Sequence, residues 1–187
     1  MIYFDTSYLV RLYYADPGAD AVRELAATDH VVCAAHGQAE MIAAFHRKLR
    51  EGAIRAPAYA ALLAQVRAHI EVGAFQWFAQ NQEIMARIRN VYQRLPAAVF
   101  LRGADAIHLA TAAEAGLRII YSNDRHLLAA AKHFSVAGRD VIGQLPEARK
   151  CLSTAFISIA LHISSPYSRS QTISPTQCFE STFSRRA

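Results

Sequence analysis

Short unbroken apolar runs alternate along the chain with longer stretches in which apolar residues recur every three or four positions. The first run, 2–4, ends at Asp5. An amphipathic stretch with Leu9, Leu12 and Tyr13 follows and reads as a helix, with Ser7 placed to cap it. Asp16-Pro17-Gly18 breaks it. A second short helix is predicted over 19–27 and a buried strand over 30–34. Helices over 38–50 and 58–72 end at Gly52 and Gly73. A strand over 75–78 and a helix over 83–95 come next. The helix predicted over 104–115 carries almost no charge, so it should be enclosed. A strand over 117–121, a short helix over 125–132 and an edge strand at Val141-Ile142 complete the pattern.

Strands alternating with helices, and apolar throughout, predict an α/β fold: a mostly parallel sheet with helices on both faces. The domain is expected over 1–145. From 146 the character changes. Thirteen of the residues 151–187 are Ser or Thr, and no charge falls between Lys150 and Arg169. This tail is expected to be poorly ordered or loosely docked. It also carries most of the basic excess. Residues 1–148 hold 15 Lys+Arg against 14 Asp+Glu, whereas the whole chain is +5. The net charge is therefore no nucleic-acid footprint of the folded body. Cys33, Cys151 and Cys178 are odd in number and widely spaced, which argues against a disulfide framework or a zinc site and fits a reducing cytoplasm. No apolar run approaches the ~18 residues of a membrane helix, and the start of the chain does not read as a signal peptide.

Open α/β sheets bind ligands beyond the carboxyl ends of their strands. Four acids are predicted there. Asp5 ends the first strand, Asp124 follows the strand 117–121, and Glu40 and Asp105 lie in the first turns of helices. No basic partner is evident in the local sequence. Carboxylates ~4 Å apart repel by ~1 kcal/mol in water and several-fold more at a protein surface. A hard divalent cation, Mg²⁺ or Mn²⁺, relieves that repulsion and stays open to a phosphate oxygen.

Four blocks carry a resemblance: Ile2-Tyr3-Phe4-Asp5-Thr6-Ser7, Gln38-Ala39-Glu40, Leu101-Arg102-Gly103-Ala104-Asp105-Ala106-Ile107-His108-Leu109-Ala110, and Tyr121-Ser122-Asn123-Asp124-Arg125-His126-Leu127. In order and spacing the chain resembles the PIN-domain family, and within it the toxin ribonucleases of VapC type. The resemblance implies a three-layer Rossmann-like fold, a Mg²⁺ site of Asp5, Glu40, Asp105 and Asp124, endoribonuclease activity and an antitoxin partner. Ser122 keeps a hydroxyl where relatives often carry Thr. Thr6 and Ser7 are expected to support the site.

Each residue also has a plainer reading. Asp5 could cap a helix, Glu40 could favour a helix dipole, and Asp124 could shape a turn. Asp105 has an internal control: Asp20 also follows Gly-Ala, but its helix carries Arg23 and Glu24 and must face water. His108 is expected to be a buried histidine bonded to backbone, and His36 belongs to no trusted metal spacing. Arg11, Arg102 and Arg125 flank the edge as candidate phosphate holders. Trp77, Tyr8, Tyr13 and Tyr14 read as core or dimer-face residues. The apolar faces of the first and fourth helices suggest a homodimer. The expected function is metal-dependent hydrolysis of RNA phosphodiester bonds. The alternative is a catalytically silent module that binds RNA or protein. Haloacid-dehalogenase chemistry does not fit, because Ser7 stands where its second Asp is needed.

Overall fold

The computed structural model describes residues 1–142. The expectations for the tail, and for the end of the domain at 145, lie outside the described residues. The elements are β1 (Ile2–Phe4), α1 (Thr6–Tyr13), α2 (Ala19–Ala26), β2 (Val31–Ala34), α3 (Gly37–Arg50), α4 (Ala56–Glu71), β3 (Gln76–Phe78), α5 (Gln82–Tyr92), α6 (Gly103–Glu114), β4 (Ile119–Tyr121), α7 (Arg125–Ala130), a 3-10 turn at Ala131–Phe134, and β5 (Ala137–Arg139). The strands form one sheet in the order β3-β2-β1-β4-β5, and every pairing is parallel.

Two cores lie on the two faces of this sheet, and side-chain alternation assigns each strand residue to one of them. Tyr3, Val32 and Ala34 pack with α5, α6 and α7 through Ile84, Leu109 and Leu127. Ile2, Phe4, Val31 and Cys33 pack with α1 to α4 through Leu9, Val22, Met41, Phe45 and Val66. The layers are thus helix, sheet, helix, as expected. β1 and β2 are buried at every residue because both of their faces are covered. In α6 the run Leu109–Ala112 is fully enclosed, in line with its lack of charge.

Two local expectations change. Among the described residues the last strand is β5, not Val141-Ile142. Ala137, Gly138 and Arg139 are all exposed and pair with β4 through backbone groups alone, so an edge strand needs no apolar signature. Val141 and Ile142 instead pack as side chains with the α1–α4 core. Second, α1 is capped by Asp5 rather than Ser7. The helix begins immediately beyond β1, so the strand-end carboxylate stands at the cap and accepts from Tyr8 N–H. Tyr8, Leu9 and Val10 of α1 are buried within the chain, in keeping with Tyr8 as a core residue. Among the described residues, no helix is long and apolar enough to cross a membrane.

Candidate functional site at the carboxyl rim of the sheet

The strand order reverses beside β1: the chain runs outward through β2 and β3, then returns to the other side with β4 and β5. Open α/β sheets bind ligands at such a switch point, and Asp5 and Asp124 follow the two strands, β1 and β4, that meet there. Asp5 is buried. Its Oδ1 accepts from Ser7 Oγ at 2.7 Å and from Tyr8 N–H at 3.1 Å, and its Oδ2 accepts from Ser122 Oγ at 2.5 Å. Burial raises the pKa of Asp5. The Ser122 and Ser7 bonds, the nearby His108 and the Tyr8 N–H counter that effect. Ser122 Oγ also accepts from Asp124 N–H at 2.9 Å, so one buried hydroxyl ties the ends of β1 and β4 together. Asp124 caps α7, its Oδ1 accepting from His126 and Leu127 N–H. Its Oδ2 lies 3.3 Å from Arg102 Nη1.

Glu40 rises from the first turn of α3. Thr6 Oγ1 donates to its Oε2 at 2.5 Å, and His108 Nε2 lies 3.0 Å from the same oxygen. Burial would raise the Glu40 pKa, but His108, Thr6 and His36 outweigh it and bring it to about 2. His108 projects from α6. Its Nδ1 is 3.1 Å from the Tyr3 hydroxyl, which itself accepts from Ala34 N–H. Burial works against a charge on His108, while neighbouring Cys33, Glu40 and Asp5 favour it and raise the pKa. The Glu40 and Asp5 carboxylates carry that direction, because burial also pushes the Cys33 thiol up and keeps it neutral. His36, at the start of α3, stacks its ring 4.2 Å from that of His108, with Nε2 3.6 Å from Glu40 Oε2. Burial and then His108 lower the His36 pKa; Glu40 and the Ala104 backbone act the other way.

Asp105 sits in the first turn of α6. Its Oδ2 is buried without a hydrogen-bond partner. Burial raises its pKa and the Asp124 charge adds to the shift, while Arg102 and His108 oppose it. A half-enclosed carboxylate that repels its neighbour and has an unsatisfied oxygen suits an oxygen-seeking cation. The described residues bring all four acids to the rim, in two linked groups: Asp5–Ser122–Asp124, with Asp105 in the field of Asp124, and Thr6–Glu40–His108. Among the described residues, no three carboxylates bring oxygens within 4.8 Å of one another. The set of ligand atoms that does so is His36, Glu40 and His108.

The basic partners come from distant segments. Arg102 meets Asp124 across 22 positions and His108 meets Glu40 across 68, so local sequence could not show them. His108 is buried as expected, but it bonds to side chains rather than to backbone. His36, which belongs to no trusted metal spacing in the sequence, stands four residues before Glu40 and therefore on the same helix face. Arg11 is engaged in bonds to Ser7 O and Pro17 O. Arg125 donates to His126. Of the three candidate phosphate holders, exposed Arg102 faces the acids directly.

A PIN-domain family profile matches residues 2–133. Among solved structures, FitAcB of Neisseria gonorrhoeae aligns with TM-score 0.60 at 16% identity, over 78% of this chain and 100% of that one. VapC20 of Mycobacterium tuberculosis, a sarcin-ricin loop cleaving toxin, aligns with TM-score 0.53 at 19% identity, over 70% and 95%. VapBC2 of Rickettsia felis, bound to a DNA fragment from their promoter, aligns with TM-score 0.54 at 11% identity, over 75% and 98%. These likenesses concern the fold. A comparison with curated proteins finds no match. With the profile spanning nearly all of the described sheet and its rim, the chain belongs to the PIN-domain family.

Proposed function

We propose that the protein is a metal-dependent endoribonuclease that hydrolyses RNA phosphodiester bonds and acts as the toxin of a toxin–antitoxin pair. The observation that carries this reading is Asp105 Oδ2, buried and unpartnered beside Asp124. Asp5, Glu40, Asp105 and Asp124 would hold Mg²⁺ or Mn²⁺. Such an ion supplies activation of water and neutralisation of phosphate charge. The chain's own groups do the rest. Ser7 and Ser122 hold Asp5, Thr6 and His108 hold Glu40, and Arg102 stands ready to exchange Asp124 for a substrate phosphate. No protein nucleophile is required, and the products should keep phosphate on their 5′ ends.

The likeness to a toxin that cleaves the sarcin-ricin loop supports structured RNA as the first substrate to try. An antitoxin covering the acidic rim, a homodimer and a cytoplasmic location belong to the same reading. The test is cleavage of structured RNA by the purified chain in Mg²⁺, compared with Asp5→Asn and Asp105→Asn. Asn keeps the cap at position 5, so both variants should fold and lose cleavage. Wild-type activity in both would sink the assignment. Metal binding without cleavage of any RNA would favour a silent binding module.

A further inference from the structure

We infer that His36, Glu40 and His108 form a seat for a transition-metal cation of the Zn²⁺ class, and that filling it switches the nuclease off by locking Glu40 to the two histidines and withholding it from the other acids. The second half rests on the function proposed above; the first half stands without it.

One ligand atom from each of the three lies within 4.8 Å of the others. The two measured spans to Glu40 Oε2 are 3.0 Å from His108 Nε2 and 3.6 Å from His36 Nε2. Ligands on one ion at bond lengths of about 2.0–2.2 Å stand roughly 3–3.5 Å apart, so both spans to Glu40 are close to that spacing. The donor set is two imidazoles and one carboxylate, which favours Zn²⁺, Co²⁺ or Ni²⁺ over Mg²⁺.

The seat is also braced. Tyr3 fixes Nδ1 of His108 and so aims Nε2 outward; a hydrogen bond of this kind orients metal-binding histidines. Both ring nitrogens of His36 are buried without a close hydrogen-bond partner, with the Ala104 backbone and Glu40 acting on the ring. Gly37 lets α3 start this close. A Cβ there would stand 2.7 Å from Cys33 Sγ and 3.6 Å from His108 Cε1. Glu40, 35% exposed, is the solvent-facing member of the trio, since His108 and both His36 nitrogens are buried. On binding, the cation replaces the proton that His108 shares with Glu40, and that proton leaves to buffer.

The probe is Co²⁺, followed by its visible absorption and displaced by Zn²⁺. The full chain should take up Co²⁺ with bands that Zn²⁺ abolishes and a large excess of Mg²⁺ does not. His36→Ala, a change at a part-exposed position, should weaken binding at least ~10-fold, with folding checked by circular dichroism. His108→Asn is the second variant and should act in the same direction. Unchanged Co²⁺ binding in His36→Ala, or displacement by Mg²⁺ as readily as by Zn²⁺, overturns the seat. For the switch, each protein is compared with its own rate in Mg²⁺. Equimolar Zn²⁺ should slow the wild-type chain and spare His36→Ala, and equal inhibition of both overturns it. If no RNA is cleaved under any condition, the nuclease reading fails while the Co²⁺ titration still decides the seat.

Discussion

The chain contains Gly-Ala-Asp twice, and the two copies have opposite surroundings. In Gly18-Ala19-Asp20 the glycine is what the backbone needs: its φ is +81°, and a Cβ would stand 2.5 Å from Ile142. The acid points to water near Arg23, at 3.4 Å. In Gly103-Ala104-Asp105 the glycine has open space around it. There the acid carries the constraint, half-enclosed against Asp124 with one oxygen unpartnered. Both helices start with the same three residues. The difference comes from where each helix starts: α6 opens onto the carboxyl rim of the sheet, whereas α2 follows a surface turn. A tripeptide sets the local backbone and leaves the electrostatic role to the fold.

The contrast can be broken most directly by activity. Asp105→Asn should lower Mg²⁺-supported RNA cleavage by ~10²-fold or more, while Asp20→Asn stays within about twofold; equal losses would erase the distinction. The next largest effect falls on stability at the enclosed edge. Ser122→Ala leaves the buried Asp5 Oδ2 without its donor and should cost about 1–3 kcal/mol in urea unfolding. Arg23→Ala, which removes the exposed partner of Asp20, should cost under ~1 kcal/mol.

A third test uses pH without added metal. The folded-state pKa of Asp105 lies above its ordinary 3.8, so its charge weakens the fold and stability falls as pH rises through the folded value. Asp105→Asn should therefore stabilise the metal-free chain at pH 7, read by urea unfolding. That gain should vanish below about pH 3.8 and reverse when Mg²⁺ is added. Glu40 has the opposite sign. Held at about 2, it contributes stability above its ordinary 4.5 that is lost as pH falls toward 2. The deficit of Glu40→Gln should be at most ~1 kcal/mol after allowance for solvent and should shrink in acid. The smallest change is expected for Asp20→Asn, a few tenths of a kcal/mol through the α2 dipole.

Much of the fold was legible because burial on both faces leaves a plain mark. β1 and β2 are continuous apolar runs, and α6 lacks charge along its enclosed part. β5 was not legible, since an edge strand can be built from Ala137, Gly138 and Arg139 with backbone bonds alone. In the site, the four acids were visible as residues at strand ends and helix starts. Their partners were not. Nothing near Glu40 announces His108, and nothing near Asp124 announces Arg102, because pairing between segments distant in the chain leaves no periodicity.

The sequence by itself determined the alternation of strands and helices, the covering of the sheet on both faces, and the placing of Asp5, Glu40, Asp105 and Asp124 at one rim. These follow from local patterns of burial and from chain direction in parallel strands. Tertiary structure alone decided which acids are satisfied. It gave Asp5 three hydrogen-bond donors and drew Glu40 to His108 and His36. It left an oxygen of Asp105 without a partner. Charge and hydrogen bonding act across space, so their outcome depended on which distant segments the sheet brought together.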